Sequence, residues 1–239
     1  MENQLQIKHD KKAALKAAFP LTIPVFTGYI VLGAAFGILM DSKGFSLLWI
    51  MVSSLFVYAG SMQFLTIELL ALSFNPLGAL LMTLAVNARH IFYGVSVLHQ
   101  YRGMGRLKPY LIFSLTDETF SIICSAKAPE GVERKWFYFF ISSLDHLYWV
   151  TGSVIGGILG SLLTIDTKGI DFVLTALFVV ILVNQWMEVK NHFPAIIGIV
   201  GAIVCRLLIG PDNFIIPTMF VILIFVTVFK KPLERSKTI

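Results

Sequence analysis

The chain has 239 residues, 56% hydrophobic and only 14% charged, with a mean hydropathy of +0.80. That balance excludes a water-soluble globular domain. The long unbroken apolar runs exclude the weak alternation of barrel strands, which leaves a helix bundle embedded in the bilayer. In such a chain the formal net charge of +5 bears on loop orientation and does not call for a nucleic-acid partner.

About 20 apolar residues span a bilayer, and on that ruler the fold class is an all-α polytopic membrane protein of about eight helices, some of them broken or re-entrant. The predicted spans are 19–40, 46–72, 76–99, 109–126, 136–163, 170–187, 193–210 and 213–230. The connections "DSKG", "SFNP", "IDTKG" and "GPDN" are too short for a soluble insert. Residues 19–230 are therefore read as one transmembrane transport domain, with an N-terminal tail at 1–18 and a C-terminal tail at 231–239. The tail segment "KHDKKAALK" precedes an apolar run too long for a signal peptide, so that run is read as a retained first span.

In the first span Pro20 and Pro24 free backbone acceptors, and Gly33 and Gly37 have the small-xxx-small spacing that lets helices approach closely. The second span carries "YAGSMQF", which places Gly60, Ser61 and Gln63 mid-helix; "AGS" would loosen the helix and turn backbone groups toward a ligand. In the third, Thr83, Asn87, His90 and Gly94 form one stripe, with Arg89 pointing elsewhere. The fourth contains "SLTDETFSI": Ser114, Asp117, Ser121 and Ser125 recur at helical spacing on one face, with Glu118 at its edge. A charge at mid-bilayer costs about 2.5–3.5 kcal/mol on insertion scales and marks a functional site; the competing reading places the two acids near a helix end in a structural ion pair. The fifth span sets Asp145 and His146 one turn before Trp149, followed by a second small-residue stripe at Gly152, Gly156 and Gly160. Cys124 and Cys205 fall inside predicted helices, where a small apolar side chain is the ordinary reading.

Lys8, Lys11, Lys12 and Lys16 precede the first span, Lys230, Lys231, Arg235 and Lys237 follow the last, and Lys127, Arg134 and Lys135 separate spans four and five. Both termini are therefore expected in the cytoplasm. Arg102, Arg106 and Lys108 disagree, because eight full crossings put them outside; either the loop is an exception, or a span on each side of it is re-entrant, with the second and fifth as the suspects. An internal echo between "SSLFVYAGS" and "SSLDHLYWVTGS", and between "MTLAVNARH" and "TALFVVILVNQ", suggests a 3+3 inverted repeat followed by two C-terminal helices.

Four helices thus carry acids, imidazoles and amides at matching depth, the composition of a wet or ligand-holding cavity. On the residues alone the reading is a secondary transporter of a small polar solute, because half-helix ends can hold a carboxylate and a nearby acid can answer an ammonium group. A divalent-metal or other small-solute transporter using His90, Asp117, Glu118 and His146 is an alternative. An intramembrane enzyme built on Ser61 or Ser143 with His90 or His146 is a weaker one, since neither nucleophile–base spacing nor an HExxH signature is present. No cofactor and no resident metal are expected.

Five motifs in order, "FVYAGSMQF" (56–64), "NARHIFYG" (87–94), "LTDETF" (115–120), "YWVTGSVIGG" (148–157) and "GIDFVLTALF" (169–178), resemble the AzlC family of branched-chain amino acid permeases. The resemblance implies a plasma-membrane exporter of valine, leucine, isoleucine and methionine, working with a small AzlD-type membrane subunit. Carried onto these motifs, Gly60, Ser61, Gln63, Asn87 and Asp117 are the expected substrate contacts. Arg89, His90 and Glu118 are the expected proton-coupling or charge network, to which Asp145 and His146 are added from just before "YW". The chain has no P-loop for ATP, so protonation of Asp117, Glu118 or His90 is the expected link to a proton gradient.

Overall fold

The structure is a computed structural model that describes residues 11–71, 76–162 and 192–210, with isolated positions between 172 and 187 and between 214 and 225. The last motif, 169–178, and the spans predicted at 170–187 and 213–230 lie largely outside the described residues. Among the described residues there are nine α-helices: α1 (Lys11–Ser42), α2 (Leu47–Phe56), α3 (Gly60–Ala71), α4 (Pro76–Asn87), α5 (Arg89–Ser96), α6 (Lys108–Phe113), α7 (Asp117–Ser125), α8 (Arg134–Leu162) and α9 (Phe193–Ile209). A single 3-10 turn, Gly105–Leu107, leads into α6.

The chain separates into two compact units, one of residues 1–74 and 86–173 and one of residues 75–85 and 174–239. In the second unit the described portion is chiefly α9, an apolar helix that ends on Gly210 in a left-handed conformation (φ 97°), with Arg206 in its last turn over the Phe214 ring. All the candidate site residues lie in the first unit.

That unit is built on α1 and α8. Lys11 lies over Trp136, Phe26 meets Tyr148 edge-on, and Gly160 faces Asp41, so the two helices run parallel along their whole lengths. The predicted small-residue stripes are what bring them together. A Cβ on Gly37 would sit 2.1 Å from the Ser153 carbonyl oxygen, and one on Gly156 would sit 2.0 Å from the Ala34 carbonyl oxygen. Glycine is required at both because the obstacle is backbone, which cannot rotate away. Helix α1 is long and apolar enough to cross a membrane, with a mean hydropathy of 2.0 over its central window. It begins at Lys11, ahead of the predicted start at 19, and runs unbroken through Pro20 and Pro24.

The predicted second, third and fourth spans are each broken near their middles, whereas the fifth, suspected of being broken, is one continuous helix of 29 residues. The second breaks at Val57–Ala59. Leu47 and Ile50 of α2 face Gly157, the Tyr58 ring in the break lies tilted against His146 at 4.2 Å, and Phe64 of α3 returns to Phe36 at 5.6 Å. Helices α2 and α3 therefore form a hairpin that enters and leaves at the C-terminal end of α1 and α8. The fourth breaks at Ser114–Thr116. Tyr110 of α6 meets Phe139, Thr119 of α7 bonds Asp145, and Ile123 packs with Phe137, Tyr138 and Ile141. Helices α6 and α7 are thus a second hairpin, entering from the opposite end. Both turns reach the level of Asp145–Trp149, near the middle of a helix about 43 Å long at 1.5 Å per residue.

The loop that disagreed with the charge rule is accounted for by the second hairpin. Arg134 donates to the Arg102 carbonyl at 2.7 Å, and Val97, Tyr101 and Met104 share a buried cluster with Ala18 and Phe137. Residues 97–108 therefore lie at the same end of the unit as the basic starts of α1 and α8. A cleft of about 420 Å³ opens at this end beside Tyr138, Lys127, Arg134 and His99, away from the mid-depth turns.

Candidate functional site

Two of the three breaks have a local cause. At the first, α2 ends with Tyr58 in the left-handed region (φ 43°), its N–H bonded to the Ser53 carbonyl. This conformation costs a non-glycine residue about 1–2 kcal/mol. The Gln63 carboxamide offsets it: its oxygen accepts from the Ala59 N–H at 3.1 Å and from Trp149 Nε1 at 3.0 Å, and its nitrogen lies 3.5 Å from Ser54 Oγ. Gln63, only 2% exposed, thereby caps α3 and ties it to α8. At the third break Thr116 is extended (ψ 177°) and caps α7, its Oγ1 accepting from the Thr119 N–H at 3.3 Å. Asp117 and Glu118 occupy the first turn, where the helix dipole favours negative charge. The break at Ala88 starts α5 on Arg89.

Three helix N-termini, those of α3, α5 and α7, converge here. Arg89 Nη1 pairs with Asp117 Oδ2 at 2.7 Å, and Nη2 donates to Ser61 Oγ at 3.3 Å. One turn further along, Tyr93 stacks on Phe120 at 4.3 Å, so α5 and α7 leave the pair side by side in the same direction. Arg89 and Asp117 are each about a quarter exposed, and among the described residues the buried Arg89 Nε and Asp117 Oδ1 have no hydrogen-bond partner. A partly exposed ion pair is suited to exchange with a small charged ligand.

Deeper, Tyr29 of α1 donates to Glu118 Oε2 at 2.6 Å and sits 2.7 Å from Thr116 Oγ1. Thr119 donates to Asp145 Oδ2 at 2.8 Å. Asp145 is fully buried, and among the described residues its Oδ1 has no hydrogen-bond partner. His146 is packed beneath the first break by the Tyr58 ring, with Nδ1 at 3.2 Å from Tyr110 Oη.

Set against the sequence expectations, the structure brings Ser61, Arg89, Asp117, Glu118, Asp145 and His146 to one depth. Arg89, expected to point away, is the residue that joins two breaks. The predicted stripe Ser114–Asp117–Ser121–Ser125 is not one helix face, because Ser114 belongs to the end of α6, while Ser121 and Ser125 are exposed on α7. His90 is turned to the Asn87 carbonyl at 3.2 Å, and Gly60 packs against the Trp149 ring. Gln63 spends both its polar atoms inside the chain. Tyr29, Thr116 and Thr119 were not singled out from the sequence; the TxxT spacing that caps α7 was a readable signal for the threonines, but nothing local marks Tyr29. The two echoing stretches take different backbones, Ser53–Ser61 spanning a break and Ser142–Ser153 lying within α8. Among the described residues, no three of His, Cys, Asp and Glu come together as metal ligands.

Residues 24–163 match the family model described as AzlC protein. The chain belongs to the AzlC family. The family match covers both hairpins and ends at the last turn of α8. A Bacillus subtilis relative, named branched-chain amino acid transport protein AzlC, is 49% identical over 225 residues, 94% of this chain and 89% of the relative. An uncharacterized membrane protein of Haemophilus influenzae is 38% identical over 99% of this chain and 97% of its own length. The Escherichia coli inner membrane protein YgaZ is 30% identical over 76% and 77% respectively. No solved structure matches the chain.

Proposed function

We propose that this protein exports branched-chain amino acids, with methionine as a further substrate, across the plasma membrane in exchange for protons, together with a small AzlD-type subunit. The observation that carries this reading is the Arg89–Asp117 pair at the meeting of three helix N-termini. An α-amino acid presents a carboxylate and an ammonium group a few ångströms apart, so it can take both partners of the pair at once. Arg89, Ser61 and the N-terminal N–H groups of α3, α5 and α7 answer the carboxylate. Asp117 answers the ammonium. An apolar side chain then has only to fill a hydrocarbon wall, here Phe120 and Tyr93 beside the pair. The name of the Bacillus subtilis relative supports the substrate class.

The same reading sets the topology. Hairpins 47–71 and 108–125 are re-entrant from opposite sides, and the complete crossings are α1, the chain between Ala71 and Val97, α8 and the three predicted C-terminal spans. Both termini are then cytoplasmic, and the formerly discordant Arg102, Arg106 and Lys108 join Lys11, Lys12, Lys16, Lys127, Arg134 and Lys135 on the positive side. The transport test is efflux of radiolabelled leucine, valine and methionine from preloaded cells lacking their own exporters, with and without an AzlD-type subunit. Wild-type efflux that Asp117→Asn loses at equal membrane abundance is the expected result; no efflux under either pairing overturns the assignment.

A further inference from the structure

Five oxygens run in a line beneath the Arg89–Asp117 pair. Glu118 Oε2 lies 2.6 Å from Tyr29 Oη, which lies 2.7 Å from Thr116 Oγ1; that atom is 3.1 Å from Thr119 Oγ1, which is 2.8 Å from Asp145 Oδ2. All four links are of hydrogen-bond length, and each needs one proton between its two oxygens. The three hydroxyls supply three. With both carboxylates ionised, one link is a lone-pair contact between two oxygens, which is unfavourable. Asp145 is fully buried, and Thr119 is its hydrogen-bond donor.

We infer that Glu118 and Asp145 form a single proton-carrying site that holds one shared proton on a chain through Tyr29, Thr116 and Thr119, separate from the pair that meets the substrate. With the proton on Glu118, every hydroxyl donates toward Asp145. With it on Asp145, every hydroxyl donates toward Glu118. Transfer breaks the O–H bond at one carboxyl and forms one at the other, while Tyr29, Thr116 and Thr119 each hand on one proton and receive one. Nothing is oxidised and no charge is left behind on a hydroxyl. Among the described residues, the titratable and charged groups facing the chain are Tyr58 at the first break, Tyr93 on α5, Tyr110 on α6, Asp117 on α7, His146 on α8 and, through Asp117, Arg89 on α5. The Arg89 guanidinium is paired with Asp117, and it adds no proton to the four links. The chain spans the contact of α1, α7 and α8, and a swing of α7 about its Ser114–Thr116 break would open it to one side or the other.

The proton site rests on the exporter reading only for its link to transport, so the direct test is a count of protons. Infrared difference spectra of the purified full-length protein in lipid nanodiscs, at neutral pH, report protonated carboxyl groups by their carbonyl band. The wild type should show one such buried group per chain. Glu118→Gln and Asp145→Asn should each abolish it, although each leaves the other acid in place, because the new amide N–H supplies the fourth donor. Tyr29→Phe, which keeps both acids but cuts the chain, should shift or remove the band. No protonated carboxyl in the wild type, or a band that survives both amide variants, overturns the proposal; two bands lost separately would make the acids independent and do the same. In proteoliposomes, leucine flux should lose its response to a pH gradient in both amide variants, and flux that keeps the wild-type response in either contradicts the site. A wild type that moves no leucine yet shows the single band would sink the exporter reading and leave the proton site standing.

Discussion

Replacing Gln63 with leucine tests how the first break is held. The carboxamide oxygen serves two donors, the part-buried Ala59 N–H and the buried Trp149 Nε1, and Trp149 is itself only 3% exposed. Leucine has a similar volume, so the packing around Phe64 and Phe36 is nearly kept and the loss is one of hydrogen bonding. An unsatisfied buried donor costs about 1–3 kcal/mol, while bonds in membrane bundles average nearer 0.6 kcal/mol because the unfolded reference finds other partners. One fully buried stranded donor and one part-buried one should therefore cost about 1–3 kcal/mol together. The control is Ser54→Ala, whose 3.5 Å contact is too long to matter and should cost about 0.5 kcal/mol or less. Denaturation of purified protein in mixed micelles, followed by tryptophan emission, measures both. In transport, Gln63→Leu should lower the maximal rate with little change in the leucine concentration that half-saturates it, because the side chain faces the scaffold. A variant of wild-type stability with weakened half-saturation would refute this and make Gln63 a substrate contact.

Gly156→Ala should prevent α1 and α8 from closing, because its Cβ would meet the Ala34 backbone at 2.0 Å; a loss of about 3 kcal/mol or of folded protein on size exclusion is expected, whereas Gly60→Ala, with a 3.4 Å contact to a side chain, should be tolerated. Arg89→Lys should reduce leucine transport at least tenfold at equal abundance, since a point charge cannot bridge Asp117 and Ser61 as the guanidinium fork does; normal transport would remove the fork from the account. In a background lacking Cys124 and Cys205, single cysteines at Arg106 and Glu130 should react with an impermeant maleimide only after the cells are opened, and one at Lys43 should react in intact cells. External labelling at Arg106 would restore eight full crossings.

The gross architecture was legible because lipid leaves so few choices: apolar runs, small-residue stripes and an all-helical class follow from composition, and Gly33, Gly37, Gly152 and Gly156 do what their spacing indicates. The breaks were half legible. "AGS" advertised the first, but the second and third rest on signals only one residue wide. Thr116 caps a new helix inside an apolar stretch, and Ala88 marks a start with no capping side chain at all. A periodicity argument carried across such a break assigns faces wrongly, which is why Arg89 was turned away and Ser114 was joined to Ser121. The basic loop at 102–108 lies at the same end as the basic starts of α1 and α8, and the helix beside it that breaks is α6–α7, whereas α8, rich in glycine, is continuous. Tyr29 was invisible because its role depends on an acid 89 positions away.

The claim at the centre of the account is that one ligand must carry both charges to replace the Arg89–Asp117 pair. The most direct measurement is equilibrium binding to the purified protein of radiolabelled leucine in competition with 3-methylbutylamine, which lacks the carboxylate, and 4-methylpentanoate, which lacks the ammonium. Competition by unlabelled leucine, with neither analogue displacing it at a hundredfold higher concentration, is the predicted result. Displacement by either single-charge analogue at concentrations comparable to leucine would contradict it.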